Sequence, residues 1–247
     1  MIRKQKEGLE WLEFDLLQPF PEVVHGVFLR SGGISEEAYS SLNVGGGSGD
    51  CKDKIAENRE KVQKALGLAS LISCLQVHGD TVKELSELSL DEGCDGIVTR
   101  EKNQGLMIKH ADCQAAIFYD PVNKIIANIH SGWRGSVENI YGKTVEKMVA
   151  MGSRPEDLIV CISPSLGPER AEFVNFETEF PFPFWAFQIR PFYFDFWEIS
   201  RSQLEEAGVP SVQIEIAGIC SYDNPKDFYS YRRDKVTGRN ATVVALI

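Results

Sequence analysis

Histidine is scarce in this 247-residue chain, which contains only His25, His78, His110 and His130. A multicopper oxidase combines a blue-copper site with a cluster of further copper ions, and imidazole is a main ligand of copper in such centres. Four histidines are too few for that arrangement. The chain can therefore build one transition-metal site at most.

Long apolar runs, closely spaced cysteines and excess positive charge are also missing. No apolar stretch approaches the ~18 residues of a transmembrane helix, and the first residues lack the apolar segment of a secretory signal. The six cysteines contain no Cys-x-x-Cys pair, so reduced thiols are expected. A net charge of -10 disfavours nucleic acid and anionic membranes as partners. We expect a cytoplasmic protein that binds neither.

The residues that are present have the balance of a globular protein, with 43% hydrophobic and 25% charged residues. Short apolar runs alternate with amphipathic segments, which predicts a mixed α/β (α+β) fold. Ser136 is the expected N-cap of the middle helix. Neither a repeat nor a linker interrupts the pattern, so we predict one domain over residues 1–247. The predicted strands are 23–30, 72–77, 81–85, 95–99, two within 105–121, 124–130, 158–163, 211–219 and 241–246, and the predicted helices are 52–66, 136–152 and 196–207.

Aromatic residues are concentrated in one segment, because residues 173–197 hold 12 of the 25 in the chain. Pro181, Pro183 and Pro191 prevent a continuous helix across it. The segment is interpreted either as a loop packed over the core or as an aromatic wall for a planar ligand.

Three residues of metal-ligand type lie where predicted strands end. His78 lies in a turn, Cys113 in the break between two apolar stretches, and His130 before a Gly-Trp-Arg-Gly turn that leads into a helix. Two imidazoles and a thiolate suit a zinc site with an open fourth position. Two alternatives stay open: Cys113 as a buried structural thiol, or a Cys113–His130 pair of nucleophile and base. His110 is a rival ligand.

Arginines form a second group of candidates. Arg134 follows His130 in the same turn, and Arg232, Arg233 and Arg239 lie close together near the end of the chain. A guanidinium group suits phosphate or a carboxylate, whereas solvated surface charge is the alternative interpretation.

A series of motifs connects these residues to a known family. In order, they are RSGGIS (30–35), SLNVG (41–45), NR (58–59), QVHG (76–79), DGIVT (95–99), ADC (111–113), HSGWRG (130–135) and, over 220–239, C-x7-FYSYRRD-x2-TGR. With these motifs the chain resembles the YfiH or laccase-domain family, which has been described both as polyphenol oxidases and as purine nucleoside enzymes. The resemblance spans nearly the whole chain.

The resemblance implies a fold, a cofactor and an activity. The fold is a layered α/β/β/α domain, and the metal, zinc with copper possible, is held by His78, Cys113 and His130. The implied substrates are a purine nucleoside and phosphate, for phosphorolysis of adenosine, inosine, guanosine or methylthioadenosine, together with deamination of adenosine. The alternatives are a cysteine hydrolase, a copper-dependent polyphenol oxidoreductase and a non-catalytic metal-binding protein.

Roles are assigned to the remaining candidates on the same basis. Asp112 is expected to act as acid or base beside Cys113 and His130, which are catalytic candidates themselves. The predicted substrate- and phosphate-binding residues are Arg134, Arg232, Arg233 and Asn43.

The chain departs from the family pattern at three places. Ala115 stands where a proline is usual, Ser163 stands where a glycine precedes Pro164, and His110 replaces a small residue.

Overall fold

Two six-stranded sheets organise the chain in the computed structural model, which describes residues 1–89 and 92–247. The first sheet contains, in spatial order, β1 (Ile2–Lys6), β2 (Leu9–Glu13), β3 (Val23–Phe28), β14 (Asn240–Leu246), β7 (Gln104–His110) and β4 (Ser70–Ile72). The second contains β13 (Ile214–Ile216), β10 (Ile159–Ile162), β8 (Gln114–Asp120), β9 (Ile125–Ser131), β6 (Gly96–Thr99) and β5 (Val82–Glu84). Both are mixed sheets, in which antiparallel pairs predominate.

Six α-helices accompany the two sheets in the described part of the chain. They are α1 (Lys52–Ala65), α2 (Trp133–Val137), α3 (Ile140–Ala150), α4 (Phe176–Glu179), α5 (Phe196–Glu206) and α6 (Tyr231–Asp234), and a small hairpin is formed by β11 (Gln188–Arg190) and β12 (Tyr193–Phe194). Among the described residues, none of these helices combines the length and apolarity needed to cross a bilayer.

Three hydrophobic clusters give the molecule its layers. Between the sheets, side chains such as Val27 and Leu106 pack against Ile117 and others from the second sheet. Outside the first sheet, α1 contributes Val62 to a second cluster. Outside the second sheet, α3 and α5 pack on residues such as Phe118. The order of layers is helix, sheet, sheet, helix, so the predicted α/β/β/α architecture is confirmed.

The predicted helix over residues 136–152 is wrong in one respect, because it is two helices. Ser136 lies inside α2, and the chain breaks at Asn139, whose φ of 55° is left-handed. The Asn139 side chain accepts a hydrogen bond from the Gly142 N–H and so caps α3. The apolar periodicity continues across the break, which is why the sequence pattern conceals it.

The strand predicted at 72–77 ends at Ile72 instead. Beyond it, the Gln76 side-chain amide bonds both the N–H and the C=O of Lys109 and so replaces a strand partner for β7. The main chain after Ile72 therefore leaves the sheet, and His78 lies in the loop that follows. The strand predicted at 211–219 is likewise shortened, to Ile214–Ile216, because a 3-10 turn precedes it.

The aromatic segment combines both of its interpretations. Phe180, Phe184 and Phe194 are buried in a cluster of their own beside α5. Phe173 packs on this cluster and also, with Phe196, lines a cavity described below. The segment is therefore packed on the fold and supplies an aromatic wall.

Candidate metal centre and its two cavities

His78, Cys113 and His130 come together at one end of the second sheet. Antiparallel pairing of β8 and β9 sets Gln114 opposite Ser131 and Ala115 opposite His130, so the residue just before β8 lies next to the end of β9. His78 reaches the same point from the loop after β4. Their ligand atoms all lie within 4.8 Å of one another. His130 is buried, Cys113 is half-buried and His78 is exposed.

Asp95 is a site residue that the sequence analysis missed. It is fully buried, and its carboxylate accepts hydrogen bonds from the main-chain N–H groups of Val77, His78 and Gly79. The same carboxylate lies 2.8 Å from Nδ1 of His130. Asp95 therefore fixes the His78 loop and turns the Nε2 atom of His130 toward the cluster. Asp95 begins the DGIVT motif, which was the available signal for it in the sequence. The motif does not show, however, that Asp95 bonds His130 and the loop of His78.

The charges of the cluster favour a thiolate beside an imidazolium. Burial alone would raise the pKa of Cys113, but the positive charge of His130 and hydrogen bonds from both histidines lower it to about 6. Burial would likewise lower the pKa of His130, but the Cys113 thiolate and Asp95 raise it to about 9. Cys113 is thus prepared to act as a metal ligand or as a nucleophile.

The donor set fits a zinc ion. Zinc binds imidazole nitrogen and thiolate sulfur at about 2.0–2.3 Å, which places neighbouring ligands of a tetrahedral site about 3.5 Å apart. The ligand atoms of the three side chains lie within 4.8 Å of one another, so they need to move only slightly closer together to reach this spacing. His130 also has the carboxylate partner on its second nitrogen that metal-bound histidines usually have. Within residues 1–89 and 92–247 this is the one such group of three or more ligand-type residues.

The other two histidines lie elsewhere. His110 is buried in β7, with Nε2 bonded to the Thr242 hydroxyl, and it is not part of the cluster. Nε2 of His25 accepts the Phe14 N–H. The described part of the chain therefore offers no imidazole for a second copper site.

Two cavities meet at the cluster, and His78 and Cys113 line both. The first cavity, of about 470 Å³, has an aromatic wall formed by Trp133, Phe173 and Phe196. The second cavity, of about 830 Å³, is bordered by the glycine-rich loop around residues 45–48 and by the main chain before Cys113. The open side of the cluster is thus accessible from two directions.

The predicted substrate-binding arginines have different surroundings. Arg134 is exposed at the first cavity, where its guanidinium lies 4.6 Å from the Trp133 ring centre and makes no hydrogen bond with the described residues. The guanidinium of Arg232 donates to the carbonyls of Arg170 and Glu172. That of Arg233 donates to three main-chain carbonyls and pairs with Asp234. Arg232 also lines the first cavity, and its Nε and Nη2 are unpaired within the described residues, so of the three only Arg233 has all its nitrogens engaged.

Asp112 and Asn43 are both engaged in structural hydrogen bonds. One carboxylate oxygen of Asp112 accepts the Ser221 hydroxyl and the other accepts the Arg232 N–H at 2.5 Å. Asn43 is fully buried, and its carbonyl oxygen accepts the N–H groups of Gly45 and Arg239. Asn43 therefore shapes the glycine-rich loop, and its role in substrate binding stays a prediction.

Two of the residues that depart from the family pattern, Ala115 and Ser163, are hydrogen-bonded to each other. The Ala115 N–H donates to the Ser163 hydroxyl at 2.9 Å, and the Ser163 N–H donates to the Ala115 carbonyl. A proline at position 115 has no N–H, and a glycine at position 163 has no hydroxyl. The two changes are therefore compensatory, and they leave the metal ligands in place.

The fold and the cluster together define a two-sheet α/β protein with an open His-Cys-His cluster that could hold a metal ion. A family model described as multi-copper polyphenol oxidoreductase laccase matches residues 24–247, and the chain belongs to this family. The resemblance to the YfiH or laccase-domain family is thus confirmed.

Curated relatives and solved structures give the same family. The purine nucleoside phosphorylase of Bacteroides thetaiotaomicron is 32% identical, over 90% of each chain. That of Deinococcus radiodurans is 35% identical, over 94% of this chain and 92% of its own. The hypothetical protein YfiH of Bacillus licheniformis has a TM-score of 0.88 at 25% identity over 99% of both chains, and YlmD of Geobacillus stearothermophilus has 0.85 at 27% identity, over 99% of this chain and 98% of its own.

Proposed function

We propose that the protein is a zinc-dependent purine nucleoside enzyme that catalyses phosphorolysis of adenosine, inosine, guanosine or methylthioadenosine and deamination of adenosine. The observation that carries the proposal is the opening of the His-Cys-His cluster into an aromatic-walled cavity. The relatives named as purine nucleoside phosphorylases support it.

The first cavity suits a nucleoside. Its volume of about 470 Å³ lies within the range of small-molecule sites. Trp133, Phe173 and Phe196 offer ring faces and edges for a planar purine. Arg134 stands at the same wall with its guanidinium donors available for polar groups of the substrate. A base bound against this wall would lie beside the cluster.

Phosphorolysis exchanges one bond for another at the ribose. A phosphate oxygen forms a bond to C1′ while the bond from C1′ to the purine nitrogen breaks, and the purine leaves with the electron pair and takes up a proton. A zinc ion held by His78, Cys113 and His130 would supply Lewis-acid chemistry. Asp95 would keep the imidazole of His130 in the required orientation. In deamination, water replaces the amino group of adenine and ammonia leaves.

A panel of nucleosides tests the proposal. Purified zinc-loaded protein is incubated with each nucleoside, with and without phosphate, and the products are identified by mass spectrometry. We expect free purine and ribose 1-phosphate only when phosphate is present, inosine from adenosine in either case, and neither product from Cys113→Ala. If no nucleoside is converted although zinc is retained, a non-catalytic metal-binding protein is the better interpretation.

A cysteine hydrolase is the second candidate, because Asp95, His130 and Cys113 are arranged as orienting acid, base and nucleophile. This function needs no metal. Hydrolytic turnover that survives complete removal of zinc and is lost on alkylation of Cys113 would favour it over the metal-dependent reaction.

A further inference from the structure

Three cationic side chains meet in the second cavity. Arg59 comes from α1, Lys109 from β7 and Arg239 from the segment before β14, and each is half-buried. Within residues 1–89 and 92–247, none of them forms an ion pair with a carboxylate. Among the described residues that line this cavity there is no aspartate or glutamate, whereas Asp112 lines the first cavity.

Three half-buried cations that line one cavity repel one another, and this repulsion costs free energy unless a negative charge lies nearby. Burial lowers the pKa of Lys109, and the neighbouring charge of Arg59 lowers it further, although Asp95 and two nearby cysteines partly oppose this. Burial also lowers the pKa of Arg59. A protein with ten excess negative charges has many carboxylates that could neutralise these groups. Their absence around the cavity points to an anionic ligand as the missing partner.

Hydrogen-bond donors remain available on these side chains. Arg239 uses only Nη1, on the carbonyls of Thr237 and Gly238, so its Nε and Nη2 are unpaired within the described residues. Arg59 binds the Val44 carbonyl through Nε and Nη2 and keeps Nη1. Lys109 donates to the Cys74 carbonyl and, at 3.5 Å, to the Ser73 hydroxyl, which leaves one ammonium hydrogen.

Two further features belong to a built site. The oxygen of Asn43 holds the N–H groups of both Gly45 and Arg239, so the glycine-rich loop and the arginine are fixed relative to each other. His110 also lines the cavity, and its buried Nδ1 atom has no hydrogen-bond partner among the described residues.

We propose that the second cavity is a phosphate-binding site with Arg59, Lys109 and Arg239 as its cationic donors. The phosphate group comes either as inorganic phosphate, the co-substrate of phosphorolysis, or as a phosphate ester on the nucleoside. The assignment of phosphate as co-substrate rests on the proposed function, whereas the anion site itself rests on the arrangement of charges. Because His78 and Cys113 line both cavities, the anion lies across the cluster from the nucleoside.

Calorimetric titrations of the zinc-loaded protein with inorganic phosphate, with adenosine 5′-monophosphate and, for comparison, with adenosine test this site. The variants Arg239→Gln and Lys109→Gln each remove one charge from the cavity. Lys61→Gln removes a charge from the same helix as Arg59 but outside the cavity, so it is the matched control. Circular dichroism and Tm of every variant establish that it is folded.

We expect wild-type protein and Lys61→Gln to bind the probe equally, and the Kd of Arg239→Gln and Lys109→Gln to rise by about tenfold or more, as for lost charge-assisted hydrogen bonds. If inorganic phosphate binds and the monophosphate does not, the site binds phosphate as the co-substrate. If the monophosphate binds more tightly than either phosphate or adenosine, the site binds a phosphate ester of the nucleoside. Affinity lost in Arg134→Gln but kept in both cavity variants overturns the site, as does failure of the wild type to bind either probe. If the site binds phosphate as expected but no nucleoside is cleaved, the site stands and the proposed function fails.

Discussion

Gly132 is the residue at which one methyl group would disturb the metal centre most directly. Its φ of -81° and ψ of 175° are accessible to alanine, so the backbone would not be strained. An added Cβ would, however, lie 3.1 Å from Cδ2 of His78 and 3.3 Å from Sγ of Cys113. We expect Gly132→Ala to weaken zinc binding about tenfold, as for other changes next to metal ligands, with little change in the Tm of the metal-free protein.

Competition with a chromogenic chelator measures that affinity. Gly47→Ala is the matched control, since nothing lies within 4 Å of its added Cβ. Equal zinc affinity in the two variants would show that the cluster tolerates the methyl group, and hence that the ligands are not held as closely as the structure has them.

Cys113 is the ligand whose loss should be decisive. The Cys113→Ala variant keeps two imidazoles, which are too few for a stable zinc site. We expect stoichiometric zinc in the wild type and a strong loss in this variant, measured by elemental analysis of protein purified without added metal. Cys51→Ala, at an exposed cysteine, is the control and should keep its zinc. Unchanged zinc content in Cys113→Ala would falsify the ligand assignment.

Sequence reasoning located the three residues that the structure brings together, but not the group that supports them. His78, Cys113 and His130 were identifiable because their residue types are rare in this chain and each lies at the end of a predicted strand. Asp95 acts through partners 16 or more positions away in the chain, and no local pattern records such contacts. The same limit applies to Arg233, because the carbonyls that engage its guanidinium are visible only in the fold. Arg232 lines the first cavity, and its role in substrate binding stays a prediction.

At the scale of elements, Asn139 explains why one apolar pattern gives two helices. Its side chain accepts the Gly142 N–H at 3.1 Å, and its left-handed backbone turns the chain between α2 and α3. Asn139→Ala loses the cap and also the polar side chain that lets asparagine adopt the left-handed conformation more readily than alanine, so we expect a loss of about 2 kcal/mol in the free energy of unfolding. Urea titration measures this value.

Asn139→Gly separates the two contributions, because glycine adopts the left-handed conformation without penalty but makes no side-chain cap. We expect it to be clearly less destabilised than the alanine variant. Equal losses in the two variants would show that the backbone conformation contributes nothing and that the cap alone stabilises the break.

Strands in the centre of the sheets were the elements best predicted from sequence. Residues of β8 and β9 are buried on both faces, so their apolar runs are continuous and easily recognised. The short strands β4 and β13 were misplaced, because they lie at sheet edges, where loops and side-chain amides compete with strand pairing.

At the scale of the whole molecule, buried His25 should make the fold sensitive to acid. Burial lowers its pKa from 6.5 to about 4, so the unfolded chain binds the proton first as the pH falls. The stability linked to this group is therefore complete above about pH 6.5 and is lost toward pH 4, a change of roughly 3 kcal/mol. We expect the stability of His25→Gln, measured by urea titration, to fall less steeply than that of the wild type across this range. Parallel profiles would exclude His25 as the source of the acid sensitivity.

Removal of the metal should lower stability without unfolding the protein. The three sheet-based hydrophobic clusters are built without any residue of the metal cluster, which lies at one end of the second sheet. A zinc ion bound there would therefore act as a ligand of a folded protein, and at 100 times its Kd it would add about 2.7 kcal/mol. At about 2–4 °C per kcal/mol for a chain of this size, chelation should lower the Tm by roughly 5–10 °C while the far-ultraviolet circular dichroism stays unchanged. The Tm of Cys113→Ala should not respond to chelator. Loss of the helical signal on chelation would instead place the cluster among the groups that hold the fold together, as in small zinc domains.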